Sequence, residues 1–265
     1  MIDIVGQSHR GQRRLNEDSF VADNSRGLAI VADGMGGAAA GEVASELVCD
    51  TLAKSLGSLP MNKAIALAHR QLSAAARGRP AQSGMGSTVV AARFDGFEFE
   101  MGWIGDSRAY LWRDQALHLL TRDHSPVEAL KAQGMLSARD ARQHPRRHVI
   151  SRAVGLGDCP PETVPVISGH LGAGEMLLLC SDGLNDSLSG SDIAAELSAG
   201  ADLKAICQSL IDKALNAGGS DNVTVVLARA GQSGPSPDPR LKAVQVEREG
   251  GEIEYFPPFS TDSAD

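Results

Sequence analysis

Four aspartates along the chain stand where a carboxylate is costly: Asp33, Asp106, Asp182 and Asp221. The first three close apolar runs, in Ile30-Val31-Ala32-Asp33-Gly34, Trp103-Ile104-Gly105-Asp106 and Leu178-Leu179-Cys180-Ser181-Asp182-Gly183. The fourth opens one, Asp221-Asn222-Val223-Thr224-Val225-Val226-Leu227. A short apolar run bounded by Asp-Gly reads as a buried strand reaching a turn. Strands that share one core can bring such ends together. Unpaired buried carboxylates repel and are costly to desolvate, so positive charge must sit among them. Oxygen donors with no supporting Cys or His cluster suit a hard divalent cation, Mg²⁺ or Mn²⁺, better than zinc. These residue types point to a metal-dependent enzyme.

The elements that must position the aspartates are legible as pattern. Short strands are expected over 2–8, 28–32, 88–94, 98–104, 108–112, 116–120, 175–181 and 222–228. Asp95-Gly96 marks one hairpin, and Arg113-Asp114-Gln115 joins the strands of a second. Helices are expected over 41–56, with Val43, Leu47, Val48, Leu52 and Leu56 on one face, and over 62–76, with Ile65, Leu67, Ala68 and Leu72. A third, 202–215, opens on an Asp N-cap candidate and aligns Leu203, Ile206, Leu210 and Ile211. Hairpin-linked strands and paired helices, without strict β-α alternation, argue for antiparallel sheets beneath helix layers.

Composition narrows the class. The chain has 265 residues, 42% of them apolar, and no apolar run long enough to span a bilayer. Met1-Ile2-Asp3-Ile4-Val5 lacks the pattern of a signal peptide. Cys49, Cys159, Cys180 and Cys207 are scattered, as free core thiols of a reducing compartment would be. A net charge of −8 argues against nucleic-acid binding. A cytoplasmic monomer with one catalytic domain over 1–230 is the expectation. Residues 125–152 read as a surface insertion carrying Arg139, Arg142, Arg146, Arg147 and Arg152 with His144 and His148. Residues 231–265 read as a disordered tail, Pro-rich and then acidic, with Val244, Val246, Tyr255, Phe256 and Phe259 as apolar spots.

Shorter motifs complete the pattern. Arg13-Arg14-Leu15-Asn16-Glu17-Asp18 comes first, then Asp33-Gly34-Met35-Gly36-Gly37 and Gly84-Met85-Gly86-Ser87-Thr88. Gly105-Asp106-Ser107-Arg108, Asp123-His124-Ser125, Ser181-Asp182-Gly183 and Gly219-Ser220-Asp221-Asn222 follow. In this order the series resembles that of the bacterial metal-dependent type 2C Ser/Thr protein phosphatases, over roughly residues 3–229. Each motif alone is weak; the ordered series is specific.

The resemblance implies an α+β fold, a four-layer α-β-β-α sandwich whose two central antiparallel sheets are flanked by helix pairs. It implies two Mn²⁺ or Mg²⁺ ions, with a weaker third. Asp33 would bridge the pair and the Gly34 carbonyl would bind one ion. Asp182 and Asp221 would hold the other, while Glu17 and Asp18 act directly or through water. Asp106, with Asp182, matches the third site, and Arg13 matches the arginine that holds the substrate phosphate. Two metals about 3.5–4 Å apart lower the pKa of a shared water and make a nucleophile near neutral pH. Direct attack on the phosphate monoester then needs no phosphoenzyme. The implied partners are phosphoserine and phosphothreonine proteins, together with a eukaryotic-like Ser/Thr kinase. In the family, the segment equivalent to 125–152 lies beside the active site as a flap.

The chain departs from the family pattern in one chemically important place. Eukaryotic members carry a His after the Asp-Gly, a candidate acid for the leaving alkoxide; here Met35 stands there. Bacterial members often have a His after Gly-Met-Gly-Gly, where this chain has Ala38. The sequence thus names no leaving-group acid, and metal-bound water is the alternative. His124 reads as a structural hydrogen-bonder.

Overall fold

The near-continuous apolar runs belong to strands covered on both faces, the condition under which a strand loses its polar alternation. The computed structural model describes residues 1–36, 40–77, 84–200, 202–241, 245–248 and 253–255. One sheet carries β1 (Ile2–His9), β7 (Arg108–Arg113), β8 (Ala116–Leu119), β10 (Met176–Cys180), β11 (Val223–Ala230), β12 (Gln245–Arg248) and β13 (Ile253–Tyr255). Their order is β1-β11-β10-β7-β8-β12-β13. The other sheet has β2 (Asp18–Asp23), β3 (Leu28–Met35), β5 (Val89–Asp95), β6 (Glu98–Ile104) and β9 (Val166–His170), in the order β2-β3-β5-β6-β9. A two-residue strand, β4 (Gly86–Ser87), pairs with the end of β3. Every named strand pairing is antiparallel.

Alternate residues of each central strand serve two cores. Leu28, Ile30 and Ala32 of β3 pack under α1 (Ala40–Ser55) and α2 (Met61–Arg77), while Ala29 and Val31 face the opposite sheet. In β10, Leu177 and Leu179 fill the space between the sheets. Its Met176, Leu178 and Cys180 meet α6 (Gly190–Ser198) and α7 (Leu203–Asn216) on the far side. The layers are therefore helix pair, sheet, sheet, helix pair, as the resemblance implied.

Local details follow from local chemistry. The β5–β6 hairpin turns at Gly96, with φ of +62°. The β7–β8 turn puts both Asp114 and Gln115 at positive φ, 50° and 60°, the conformation a two-residue hairpin loop requires. Asp202 caps α7, accepting from the N–H groups of Lys204 and Ala205. On α1 the buried face is centred on Ala44, Val48, Cys49 and Leu52, with Val43 and Leu47 only half-buried. The strand expected over 88–94 is β5, which starts one residue later, at Val89, while Thr88 and Asp33 hydrogen-bond each other between β4 and β5. Sequence reading missed β2 and β9, whose half-exposed residues break the apolar pattern.

Residues 231–241 differ from the expected disordered tail. The Ala173 N–H donates to the Pro235 carbonyl and the Gly231 N–H to that of Met1. Asp238 is fully buried; it accepts from the His170 N–H at 3.2 Å and from the Arg240 guanidinium at 2.8 and 3.0 Å. Leu241 packs against the core between the sheets. Polar composition hid this segment because its contacts are mostly backbone hydrogen bonds and one buried carboxylate. Val246 and Tyr255 lie in β12 and β13, which extend the sheet from β8. Val244, Phe256 and Phe259 lie outside the described residues, as do Gly37 and Ala38.

Removing the Asp238 carboxylate leaves the part-buried His170 N–H without its acceptor and releases the exposed Arg240 to water, at a cost of about 1 kcal/mol. Asp238→Ala should therefore lower the melting temperature by roughly 2–4 °C per kcal/mol lost. An unchanged melting curve would mean that the Asp238 carboxylate does not help to hold residues 231–241 in place.

Candidate metal centre

At one edge of the sandwich the strand ends surround a cavity of about 810 Å³. Arg13, Glu17, Asp33, Gly34, Asp106, Asp182 and Asp221 line it. They arrive on five pieces of the frame. Asp33 and Gly34 lie near the end of β3, Asp106 just beyond β6, and Asp221 just before β11. Asp182 opens α5 (Asp182–Ser187) directly after β10. Arg13 and Glu17 belong to the loop between β1 and β2.

The backbone beneath these side chains is tied down. The Asp33 N–H donates to Thr88 Oγ1 at 3.0 Å, and its carbonyl accepts from the Thr88 N–H and the Ser87 hydroxyl. Thr88 Oγ1 in turn meets Ser107 Oγ at 2.7 Å, beside Asp106. Asn222 stitches the other side: its amide donates to the carbonyls of Arg10 and Leu15, and its Oδ1 accepts from the Glu17 N–H. Gly34 is required here, because a Cβ would collide with the Gly41 carbonyl. Gly11 is equally constrained, at φ of +58° with the Asp221 carbonyl in the way of a Cβ. His124 accepts from the Gly105 N–H at 3.1 Å, and burial holds its imidazole down to about 4. It is a neutral structural residue.

Asp18 differs from the other expected site residues. It is buried behind the cavity, directly opposite Asp33 in the β2–β3 register. Its Oδ2 accepts from Ser181 Oγ at 2.8 Å and Thr224 Oγ1 at 2.7 Å, so it joins the two sheets. Its Oδ1 has no partner among the described residues, and neither does the buried Oδ1 of Asp182.

The cluster is electrostatically uncomfortable. Burial raises the Asp18 carboxyl to about 6, and burial followed by Asp123 raises Asp106 to about 7. Asp33 and Asp182 are pushed well above the usual carboxylate range by burial, then by Asp18 and Asp106 respectively. Asp221 is the member with a cation at hand: Arg13 forks onto it at 2.7 and 2.9 Å. The residue expected to hold phosphate thus holds a carboxylate expected to hold metal. Orphaned buried oxygens, mutual repulsion and an all-oxygen donor set fit hard divalent cations.

The segment 125–152 approaches this cavity. It contains α3 (Pro126–Ala132) and α4 (Ala138–Gln143), capped by Ser125 and Ser137. Arg147, His148 and Ile150 beyond them line the cavity. His148 Nδ1 lies 2.9 Å from Asp186 Oδ2. Among the described residues, His148, Asp182 and Asp186 offer donor atoms within 4.8 Å of one another. Sequence reading overlooked Asp186, although its position four residues after Asp182 puts both on one helix face. It also passed over Asn222, whose side chain shapes the Arg13 loop.

Carboxyls raised by folding give a definite pH response. Their stabilisation is complete below the unfolded value of 3.8 and is lost as pH rises through about 6 and 7. The metal-free protein should therefore gain melting temperature on acidification from pH 8 toward about 4. Saturating Mn²⁺ should flatten that slope. Thermal melts in EDTA and in Mn²⁺ across this range test it; a metal-free midpoint that falls steadily with acidification would refute it.

The Protein phosphatase 2C family model matches residues 5–216. The serine/threonine protein phosphatase PstP of Mycobacterium tuberculosis is 38% identical over 235 residues, 86% of this chain and 45% of that protein. This chain thus spans about half the length of that relative. The serine/threonine phosphatase stp of Listeria welshimeri is 35% identical over 237 residues, covering 83% of this chain and 93% of its own. Among solved structures, the PstP catalytic domain in complex with two manganese ions superposes with a TM-score of 0.76 at 35% identity. The match covers 86% of this chain and 97% of that one. No helix among the described residues is long and apolar enough to cross a membrane. By sequence and by fold alike, this chain belongs to the protein phosphatase 2C family.

Proposed function

We propose that this chain is a metal-dependent phosphatase that hydrolyses phosphoserine and phosphothreonine in proteins. The observation that carries the reading is the ring of Glu17, Asp33, Asp106, Asp182 and Asp221 around one cavity with Arg13 on its wall. Asp33, Asp182, Asp221 and the Gly34 carbonyl would hold two Mn²⁺ or Mg²⁺ ions, with Glu17 and Asp18 in support. Asp106 and Asp182 would hold a weaker third. When bound, the ions supply charge neutralisation and lower the pKa of a water that attacks phosphorus. Arg13 orients the phosphate through its planar fork. The backbone bonds at Asp33 and Asn222 keep the frame fixed, while Arg13 would exchange Asp221 for the phosphate once metal takes up that carboxylate.

Residues 1–230 form the catalytic unit in this reading, with 125–152 as its flap and 231–241 bracing it from behind. Four free, buried cysteines agree with work in a reducing cytoplasm. The chain acts as a monomer, and its biological opponent is a Ser/Thr kinase.

Release of phosphate from a phosphothreonine peptide, with Mn²⁺, Mg²⁺ or EDTA, tests the activity. Turnover should require metal, and Asp33→Asn should abolish it while leaving the fold intact. No release by folded protein with either metal would leave a phosphoprotein-binding module as the better reading. Arg13→Ala should raise KM for the peptide while leaving Mn²⁺ affinity, read by calorimetry, unchanged or tighter. Equal losses in both would make Arg13 a structural residue.

A further inference from the structure

Breaking a phosphoserine or phosphothreonine ester expels an alkoxide, a poor leaving group unless it is protonated as it departs. Met35 lines the cavity and has no proton to give. Arg13 and Arg147, also on the wall, do not release theirs near neutral pH. His124 is neutral and occupied by Gly105. His69 accepts from the Gly155 N–H, away from this cavity. Among the described residues, the imidazole that lines the cavity is that of His148.

Its setting suits the task. His148 sits on the flap with its side chain 48% exposed, on the solvent-open wall of the cavity and with a donor atom within 4.8 Å of those of Asp182 and Asp186. The leaving oxygen must lie on that side, since it joins the phosphate to a protein chain that remains outside. Nδ1 lies 2.9 Å from Asp186 Oδ2, which fixes the ring and leaves Nε2 uncommitted to that carboxylate. Asp186 is itself held one helical turn from Asp182 on α5.

Resting on the phosphatase reading, we propose that His148 is the acid that protonates the leaving alcohol, with Asp186 as its positioning residue. As the water oxygen bonds to phosphorus, the ester P–O bond breaks and its electron pair goes to the serine or threonine oxygen. That oxygen takes the proton from His148 Nε2. The neutral imidazole remains hydrogen-bonded to Asp186, the proton shed by the attacking water passes to solvent, and His148 is reprotonated from solvent before the next turnover.

The test compares two substrates in the same Mn²⁺-saturated preparations: a phosphothreonine peptide, and p-nitrophenyl phosphate, whose nitrophenolate leaves without protonation. His148→Gln should lower kcat on the peptide by about 100-fold and on the aryl ester by less than about threefold. Asp186→Asn should show the same selectivity to a smaller degree. Retained aryl turnover also reports that each variant is folded. Peptide turnover within about threefold of wild type would overturn the proposal. So would equal losses on both substrates, which, with weakened Mn²⁺ binding by calorimetry, would make His148 a metal ligand instead. Wild-type protein inactive on both substrates would remove the phosphatase reading, and this acid with it.

Discussion

Asp18 and Asp33 face each other across neighbouring strands, with Asp182, Asp106 and Asp221 converging on the same end of the sandwich. Like charges held so close cannot all ionise without compensation. The rest of the structure is organised around bearing that repulsion. Hydroxyls from Ser181 and Thr224 absorb one oxygen of Asp18, and Arg13 neutralises Asp221. Two apolar helix layers and an apolar filling between the sheets clamp the strands that carry the remainder. The core supplies the stability against which the site is built, a division expected where function demands strained electrostatics.

That division also explains how a cation changes the chain. In the metal-free state, partial protonation and the Arg13 fork are the available means of relief. A divalent ion relieves the same repulsion without protons. Metal affinity is then tied to pH, because protons and cations compete for the same oxygens.

The sandwich was legible because its strands are covered on both faces: Leu28–Ala32 and Leu177–Cys180 read as apolar runs that end on Asp-Gly or Ser-Asp-Gly. The three long helices α1, α2 and α7 were legible from periodicity, although on α1 buried Ala44 displaced half-buried Val43 and Leu47 from the face; the shorter α3 to α6 carry too few turns to show a period. The ordered motifs assembled the carboxylates and Arg13. Three things stayed hidden. Residues 231–241 are fastened through backbone groups and Asp238, and composition does not encode such contacts. The Arg13–Asp221 fork and the His148–Asp186 pair join residues 208 and 38 positions apart. Their meeting depends on where two loops lie, and no local pattern reports that.

The outermost pairing of the first sheet joins the two ends of the domain, Ile2 opposite Ala230 and His9 opposite Val223. Asn222, at the root of β11, fastens the loop that carries Arg13. A chain leaving the ribosome therefore holds its first strand without a mate until some 220 further residues have been made. Contacts of such sequence separation form slowly and leave a strand edge exposed in the interval. The carboxylate ring is then among the last features to form. A nascent or truncated chain that stops short of residue 221 has neither Asp221 nor the Asn222 side chain that fastens the Arg13 loop, so the ring is complete only once synthesis has reached β11.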